Sequence, residues 1–223
     1  MQDILGLFKN KDLLNTALTH RSALNENTST STQSNERMEF LGDAVLELAT
    51  TKFLYDNHPE HQEGILTAYR SALVKTETLA TVSNEIGLGE ELFMSKGEEA
   101  TGGRTNIGIL ADSFEALLGA MYLDRGYDVV VEFLTKNLFN KLDEIKEKKL
   151  YRDGKSLLQE VVQAKSSDAP RYEVVSEEGP DHDKQFTVAV YIDNKKVAEG
   201  VGKSKQVAQQ DAARQALESF GQE

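Results

Sequence analysis

The sequence predicts two domains, an all-α domain followed by a small α+β module of order α-β-β-β-α, and three observations predict this division. Apolar residues recur at helical spacing in segment after segment up to about Lys149. Beyond Tyr151-Arg-Asp-Gly154 the period changes, and Arg171 to Glu177 and Lys184 to Ile192 alternate apolar with polar residues as half-buried strands do. Between the two patterns lie the charged run Lys146-Glu-Lys-Lys149 and the turn residues Asp153-Gly154. They set the domains at 1–149 and 154–223, with 150–153 as linker.

In the first domain, Leu13, Leu14, Ala17 and Leu18 form the apolar stripe of a helix that ends at Thr19-His-Arg-Ser22. The polar run from Asn25 to Asn35 cannot bury a face and is expected to be a mobile loop or plain linker. Asn35 or Ser34 then caps a helix that runs to Phe53 or Leu54, before the break at His58-Pro59. Further helices are expected from about Gly64 to Val74, Glu77 to Glu85 and Asp128 to Glu147, and Ile109 to Gly119 reads as buried helix. In the second domain an amphipathic helix over Ser156 to Ala164 precedes the two strands; Val197 to Val201 is a short third strand, and Ser204 to Phe220 an Ala-rich helix.

Composition narrows the function classes. A chain of 223 residues with 39% hydrophobic and 28% charged residues is ordinary for a globular protein. With no Cys there are no disulfides, thiolate metal sites or cysteine nucleophile, and four scattered His argue against a His-rich zinc site. The start carries no basic and apolar leader, and the most apolar stretch, Ile107 to Leu123, is interrupted by Asp112 and Glu115; the expectation is a cytoplasmic protein with no membrane segment. The net charge of −12 argues on its face against nucleic acid. Both halves contribute, with 16 basic against 24 acidic residues up to Arg152 and 9 against 13 beyond it. Any phosphate site must therefore be built locally, from metal ions, helix N-termini or small Lys clusters.

The chemistry concentrates in five carboxylates inside segments that otherwise read as buried helix. Glu36, Glu39 and Asp43 fall at i, i+3 and i+7, and Asp112 with Glu115 at i and i+3, so each set occupies one helical face. Their neighbours Phe40, Leu41, Ala44, Val45, Leu110, Ala111, Phe114 and Leu117 leave little polar face for them to join. Buried carboxylates need a compensating cation, and all-oxygen ligation favours Mg²⁺ or Mn²⁺, ions that activate water against a phosphodiester. Acids at these spacings also line ordinary solvated helix faces, and spacing alone does not decide between the two.

The segment Asn35-Glu-Arg-Met-Glu-Phe-Leu-Gly-Asp-Ala-Val-Leu46 resembles the signature of ribonuclease III, the double-strand-specific endoribonuclease family. Leu18-Thr-His-Arg-Ser22, Glu63-Gly-Ile-Leu-Thr67, Gly102-Gly-Arg104 and the segment Ile109 to Asp124 resemble it too, in the family's order, and the C-terminal module resembles a double-stranded-RNA-binding domain. The resemblance implies an all-α endonuclease domain and a Mg²⁺-dependent homodimer, Mn²⁺ being a possible substitute. Its activity would be hydrolysis of double-stranded RNA to 5′-phosphate and 3′-hydroxyl ends, with processing of ribosomal and other RNA precursors. Carried over by residue, Glu39, Asp112 and Glu115 match metal ligands, and Asp43 matches the acid that supports the attacking water together with Glu115. Glu36 and Glu63 match supporting acids at the edge of the catalytic valley. Phe40 matches an aromatic that docks into the second subunit, although a core Phe would read the same. In the C-terminal module, Gln159 and Glu160 match a first minor-groove contact, the loop with Pro180 and His182 a second, and Ser204 with Lys205 a phosphate contact at a helix N-terminus.

Two departures stand out. Where the family often has Ser-Lys-Lys-x-Ala-Lys, this chain has Ser204-Lys-Gln-Val-Ala-Gln209, which predicts weaker and less salt-sensitive RNA binding. Gly108 stands where a hydroxyl residue often precedes the Ile-Leu-Ala-Asp run, and it is expected to cap the helix of Asp112. A non-catalytic duplex-RNA-binding protein is the competing class, and it would have no use for the clustered acids.

Overall fold

The computed structural model describes residues 6–26, 31–148, 151, 154–165, 168–180 and 184–220. They fall into two compact units, residues 1–151 and 152–223.

The first unit is helical and is organised around Ile107–Arg125, a helix that buries ten residues from Leu110 to Met121. Such a helix, apolar nearly all round, must be enclosed by others. Glu36–Asn57 packs along it most extensively, with Thr76–Glu85 and Lys11–Ala17 on its other sides. Glycine sets the closest crossing. A Cβ on Gly42 would lie 1.7 Å from the carbonyl oxygen of Glu115, and one on Gly119 would lie 2.2 Å from that of Met38, so the two backbones touch where any side chain would hold them apart.

The helices over Glu63–Val74 and Thr76–Glu85 follow the expected bounds closely. The stretch expected as one helix from Asp128 to Glu147 is instead two helices, Tyr127–Leu134 and Lys141–Glu147, joined by a π turn over Thr135–Phe139. The wide turn buries the adjacent residues Leu138 and Phe139 together and stacks Phe139 on Phe53, with ring centroids 4.2 Å apart. Side chains take up carbonyls around it: Thr135 Oγ1 donates to Val131 (2.8 Å) and Asn137 Nδ2 to Phe133 (2.8 Å). Asn35 makes no side-chain cap; it is buried, and its carbonyl accepts from the amides of Met38 (2.8 Å) and Glu39 (2.9 Å). The polar run before it, expected as a loose loop, is tied at both flanks. The carboxylate of Glu26 accepts from the Lys96 amide (3.0 Å), and Asn35 donates its amide to the Thr19 carbonyl (2.9 Å). Residues 27–30 lie outside the described residues.

The second unit is α-β-β-β-α: helix Gly154–Lys165, strands β1 (Arg171–Glu178), β2 (Gln185–Ile192) and β3 (Lys195–Gly202), and helix Lys205–Phe220. The sheet is antiparallel in the order β1-β2-β3. Asp193 and Asn194 both adopt positive φ (47° and 62°), the backbone of a type I′ hairpin turn, and this extends β3 beyond the Val197–Val201 expected. Ala208, Ala212, Ala213 and Ala216 are fully buried because the last helix lies almost on β3; a Cβ on Gly200 would sit 2.0 Å from the Ala212 amide nitrogen.

Gly42→Ala is therefore expected to lose about 3 kcal/mol of stability despite the better helix propensity of Ala, by overpacking a backbone contact. Gly64→Ala, whose Cβ meets nothing within 4 Å, should be neutral or gain about 0.5 kcal/mol. Urea unfolding of both variants followed by circular dichroism checks this, and equal stabilities would contradict the close crossing.

Candidate active site

The crossing that Gly42 permits also assembles the acids. Gly42 lies between Glu39 and Asp43 on one helix and faces the backbone of Glu115 on the other, so both sets of carboxylates emerge along the same edge. One oxygen each from Glu39, Asp112 and Glu115 lie within 4.8 Å of one another. The surroundings are wetter than the sequence implied, because the acids sit at the rim of the helix pair. Glu39 and Glu115 are half-buried, Asp43 and Asp112 are exposed, and the neighbouring Phe40 and Ala44 face outward.

Local structure holds this rim in place. His20 reaches it because the Thr19 segment bridges to Phe93: the His20 amide donates to the Phe93 carbonyl (2.9 Å) and the Phe93 amide to that of Leu18 (2.8 Å). The ring Nδ1 of His20 is 2.8 Å from Ser22 Oγ. Asn106, not Gly108, caps the helix of Asp112, its side chain accepting from the amides of Gly108 (2.9 Å) and Ile109 (3.2 Å); Gly108 lies in the first turn. Arg104 fixes the preceding turn, donating Nη1 to the carbonyls of Gly89, Glu90 and Leu92 (2.8–3.1 Å) and Nε to Glu99 (2.7 Å). A cleft of about 500 Å³ opens over the rim, lined among others by His20, Asn35, Glu36, Glu39, Asp112 and Ser113.

The electrostatics are those of crowded anions. Burial first, then the charges of Asp43, Asp112, Glu39 and Glu47, push the Glu115 carboxyl up to about 8. Glu39 is raised by burial and then by Asp112, Glu36 and Asp43; Asp112 is raised by burial, and His20 offsets part of this. Every neighbour acting on Glu115 is negative, so a hard divalent cation is the group that fits this oxygen set: three anionic donors already converge, and the cation would remove the repulsion.

The other candidate residues lie as follows. Glu36 shares the cleft, accepts from Ser34 Oγ (2.8 Å) and has Arg21 at 3.9 Å. Glu63 is not in the cluster; it is exposed, accepts from Thr67 Oγ1 (2.9 Å) and lines a second cleft with Leu54, Tyr55 and Leu66. Phe40 is 83% exposed and continues along its helix into Ala44, Leu48 (59%) and Tyr55 (73%), one outward apolar face; it is no core Phe. In the second unit Gln159, Pro180, Ser204 and Lys205 are all exposed. Ser204 caps the last helix through Oγ, which accepts from the Val207 amide (3.2 Å). Gln209, standing where the family often has Lys, accepts from Lys155 Nζ (2.8 Å). His182 and the side chain of Glu160 lie outside the described residues.

Sequence reasoning passed over His20, Asn106 and Gly42 as individuals. An unexplained mid-helix Gly flanked by two of the acids was the available signal for Gly42. His20 fell within the family-like segment Leu18 to Ser22 but was given no role of its own; it owes its place to the pairing with Phe93.

Comparison with known proteins places the chain in a family. A Ribonuclease-III-like family model matches residues 10–142, and a double-stranded RNA binding motif model matches residues 155–219. The ribonuclease 3 of Geobacillus kaustophilus (strain HTA426) is 44% identical over 221 residues, covering 99% of this chain and 89% of that protein. The ribonuclease 3 of Pelotomaculum thermopropionicum is 46% identical, covering 97% of this chain and 93% of its own length. Among solved structures, a nuclease domain of ribonuclease III from Campylobacter jejuni, described as flexible in a region involved in dimer formation, superposes with a TM-score of 0.55. It is 38% identical and covers 60% of this chain and 90% of its own.

Because Glu115 is protonated below about pH 8, a divalent cation entering the cluster must displace its proton. Mn²⁺ affinity of the metal-free protein is expected to rise close to tenfold per pH unit between pH 6 and 8 and then level off; a flat profile by electron paramagnetic resonance would contradict the coupling. The same raised value sets the sign for stability. The metal-free fold binds this proton more tightly than the unfolded chain, so the contribution of Glu115 falls as pH climbs from about 4.5 to about 8, and Glu115→Gln should abolish that fall.

Proposed function

The chain belongs to the ribonuclease III family, and on that premise we propose that it hydrolyses double-stranded RNA in a divalent-metal-dependent reaction leaving 5′-phosphate and 3′-hydroxyl ends. The convergence of Glu39, Asp112 and Glu115 within 4.8 Å carries this reading. These three residues would hold Mg²⁺, with Mn²⁺ as a substitute. When bound, such an ion supplies Lewis acidity to the phosphoryl oxygens and lowers the pKa of water. Asp43, exposed beside Glu115, is proposed to orient the attacking water and, with Glu115, to accept its proton. Glu36 at the cleft and Glu63 farther off would hold outer water molecules or meet the RNA.

The second unit is proposed to bring duplex RNA to this site by shape. Gln159 and Glu160 on its first helix and the loop of Pro180 and His182 would meet successive minor grooves, and Ser204 with Lys205 the phosphates between. The outward face of Phe40, Ala44, Leu48 and Tyr55 is proposed to pair with a second copy, and the cleft beside Tyr55 and Leu66 to take the ring of Phe40 from that copy. A twofold pair of sites can cut both strands of a duplex. Ribosomal and other RNA precursors in the cytoplasm are the proposed substrates. No helix among the described residues is long and apolar enough to cross a membrane.

End-labelled duplex and single-stranded RNA of one sequence, incubated with Mg²⁺, Ca²⁺ or chelator, tests the proposal. Cleavage should be confined to the duplex with Mg²⁺, and Glu115→Gln should lower its rate at least about a hundredfold while duplex binding persists. Duplex binding without cutting under any condition would favour a pure RNA-binding role.

A further inference from the structure

The last helix of the second unit begins at Lys205, and the ammonium of Lys205 is already engaged. It lies 2.9 Å from a carboxylate oxygen of Glu177 and over the ring of Phe186, 5.5 Å from its centroid. Glu177 is opposite Phe186 in the β1–β2 register, so strand pairing places the carboxylate and the ring side by side beneath the Lys. Lys184 approaches the same carboxylate at 3.8 Å. The carboxyl of Glu177 is held below the usual carboxylate range, chiefly by the hydrogen bond from Lys205. Glu177 is exposed at the end of its strand, where a phosphate could replace it.

We propose that Glu177 is an affinity-setting residue for duplex RNA: its carboxylate occupies Lys205 in the free protein and must be displaced by an RNA phosphate before that contact forms. This rests on the reading of Ser204 and Lys205 as a phosphate contact. Exposed ion pairs are weak, so the exchange is easy for a duplex held at other points. It nevertheless lowers affinity, because the freed carboxylate stays in the anion's neighbourhood. It also lowers salt sensitivity, because a carboxylate released from Lys205 takes up a cation as the RNA phosphate gives one up. Gln209, which accepts from Lys155 Nζ, adds no cation to this part of the unit, in keeping with a chain of net charge −12.

The test is duplex RNA binding across a salt series by the full chain, with Glu115→Gln as the uncleaving background in every arm. Glu177→Gln should tighten binding roughly two- to fivefold near physiological salt. It should also steepen the slope of log affinity against log salt by about one. Glu178→Gln makes the same charge change one residue away on the other face of β1, and should give less than half of that gain. Equal gains in the two variants, no gain, or a lowered melting temperature with weakened binding in Glu177→Gln would each overturn the proposal. Lys205→Ala should weaken binding; unchanged binding in that variant would instead overturn the underlying assignment of Lys205 to the RNA face.

Discussion

The backbone contact between the helices Glu36–Asn57 and Ile107–Arg125 at Gly42 and Gly119 governs the nuclease unit. Each glycine faces a carbonyl of the other helix, that of Glu115 and that of Met38, so the axes come together more closely than any side chain would allow. Close approach serves two ends. It completes the core, in which Phe114, Leu117, Leu118 and Met121 are buried. It also draws Glu39, Asp112 and Glu115 to one edge, where their mutual repulsion is a cost carried by the rest of the fold until a cation relieves it. Burial first, and that repulsion second, raise the Glu115 carboxyl to about 8.

What could be read from the sequence was what is local. The i, i+3, i+7 placement of Glu36, Glu39 and Asp43 and the strand character of β1 and β2 are properties of short segments, and the structure forms a helix and two strands there, although burial does not alternate in the strands: β2 buries Val188, Ala189 and Val190 in succession. The pooling of Glu39 with Asp112 and Glu115 depends on how two distant helices cross, and their spacings left it open. The degree of burial was misjudged for the same reason. Phe40 and Ala44 are apolar, which implied enclosure, yet they face outward, since one helix cannot show in its sequence which of two apolar faces meets the core. The π turn at Thr135–Phe139 escaped notice because a single extra residue hardly disturbs an apolar pattern, and Asn106 was overlooked as a cap because Gly108 also suits that role.

The second unit solves a different problem, that of binding a polyanion with an acidic chain. Its packing is economical: Gly200 and Gly202 let the Ala face of the last helix lie close against β3, leaving the polar face of that helix free to carry function. Lys205 on that helix pairs with Glu177, and Lys155 beside it donates to the amide oxygen of Gln209. The proposed recognition by shape suits a surface on which exposed acids accompany the cations, and the carboxylate cluster of the first unit is the proposed place for a cation's strong field.

Anomalous diffraction from crystals soaked in Mn²⁺ tests the central claim most directly, because it locates the ion independently of activity. The expected result is a peak bonded to oxygens of Glu39, Asp112 and Glu115, lost in Glu115→Gln. The described residues offer one other convergent set, His58, Glu60 and His61. A peak there with none at the carboxylates, or no peak at either place, would contradict the assignment of the glycine crossing as the frame of a metal site.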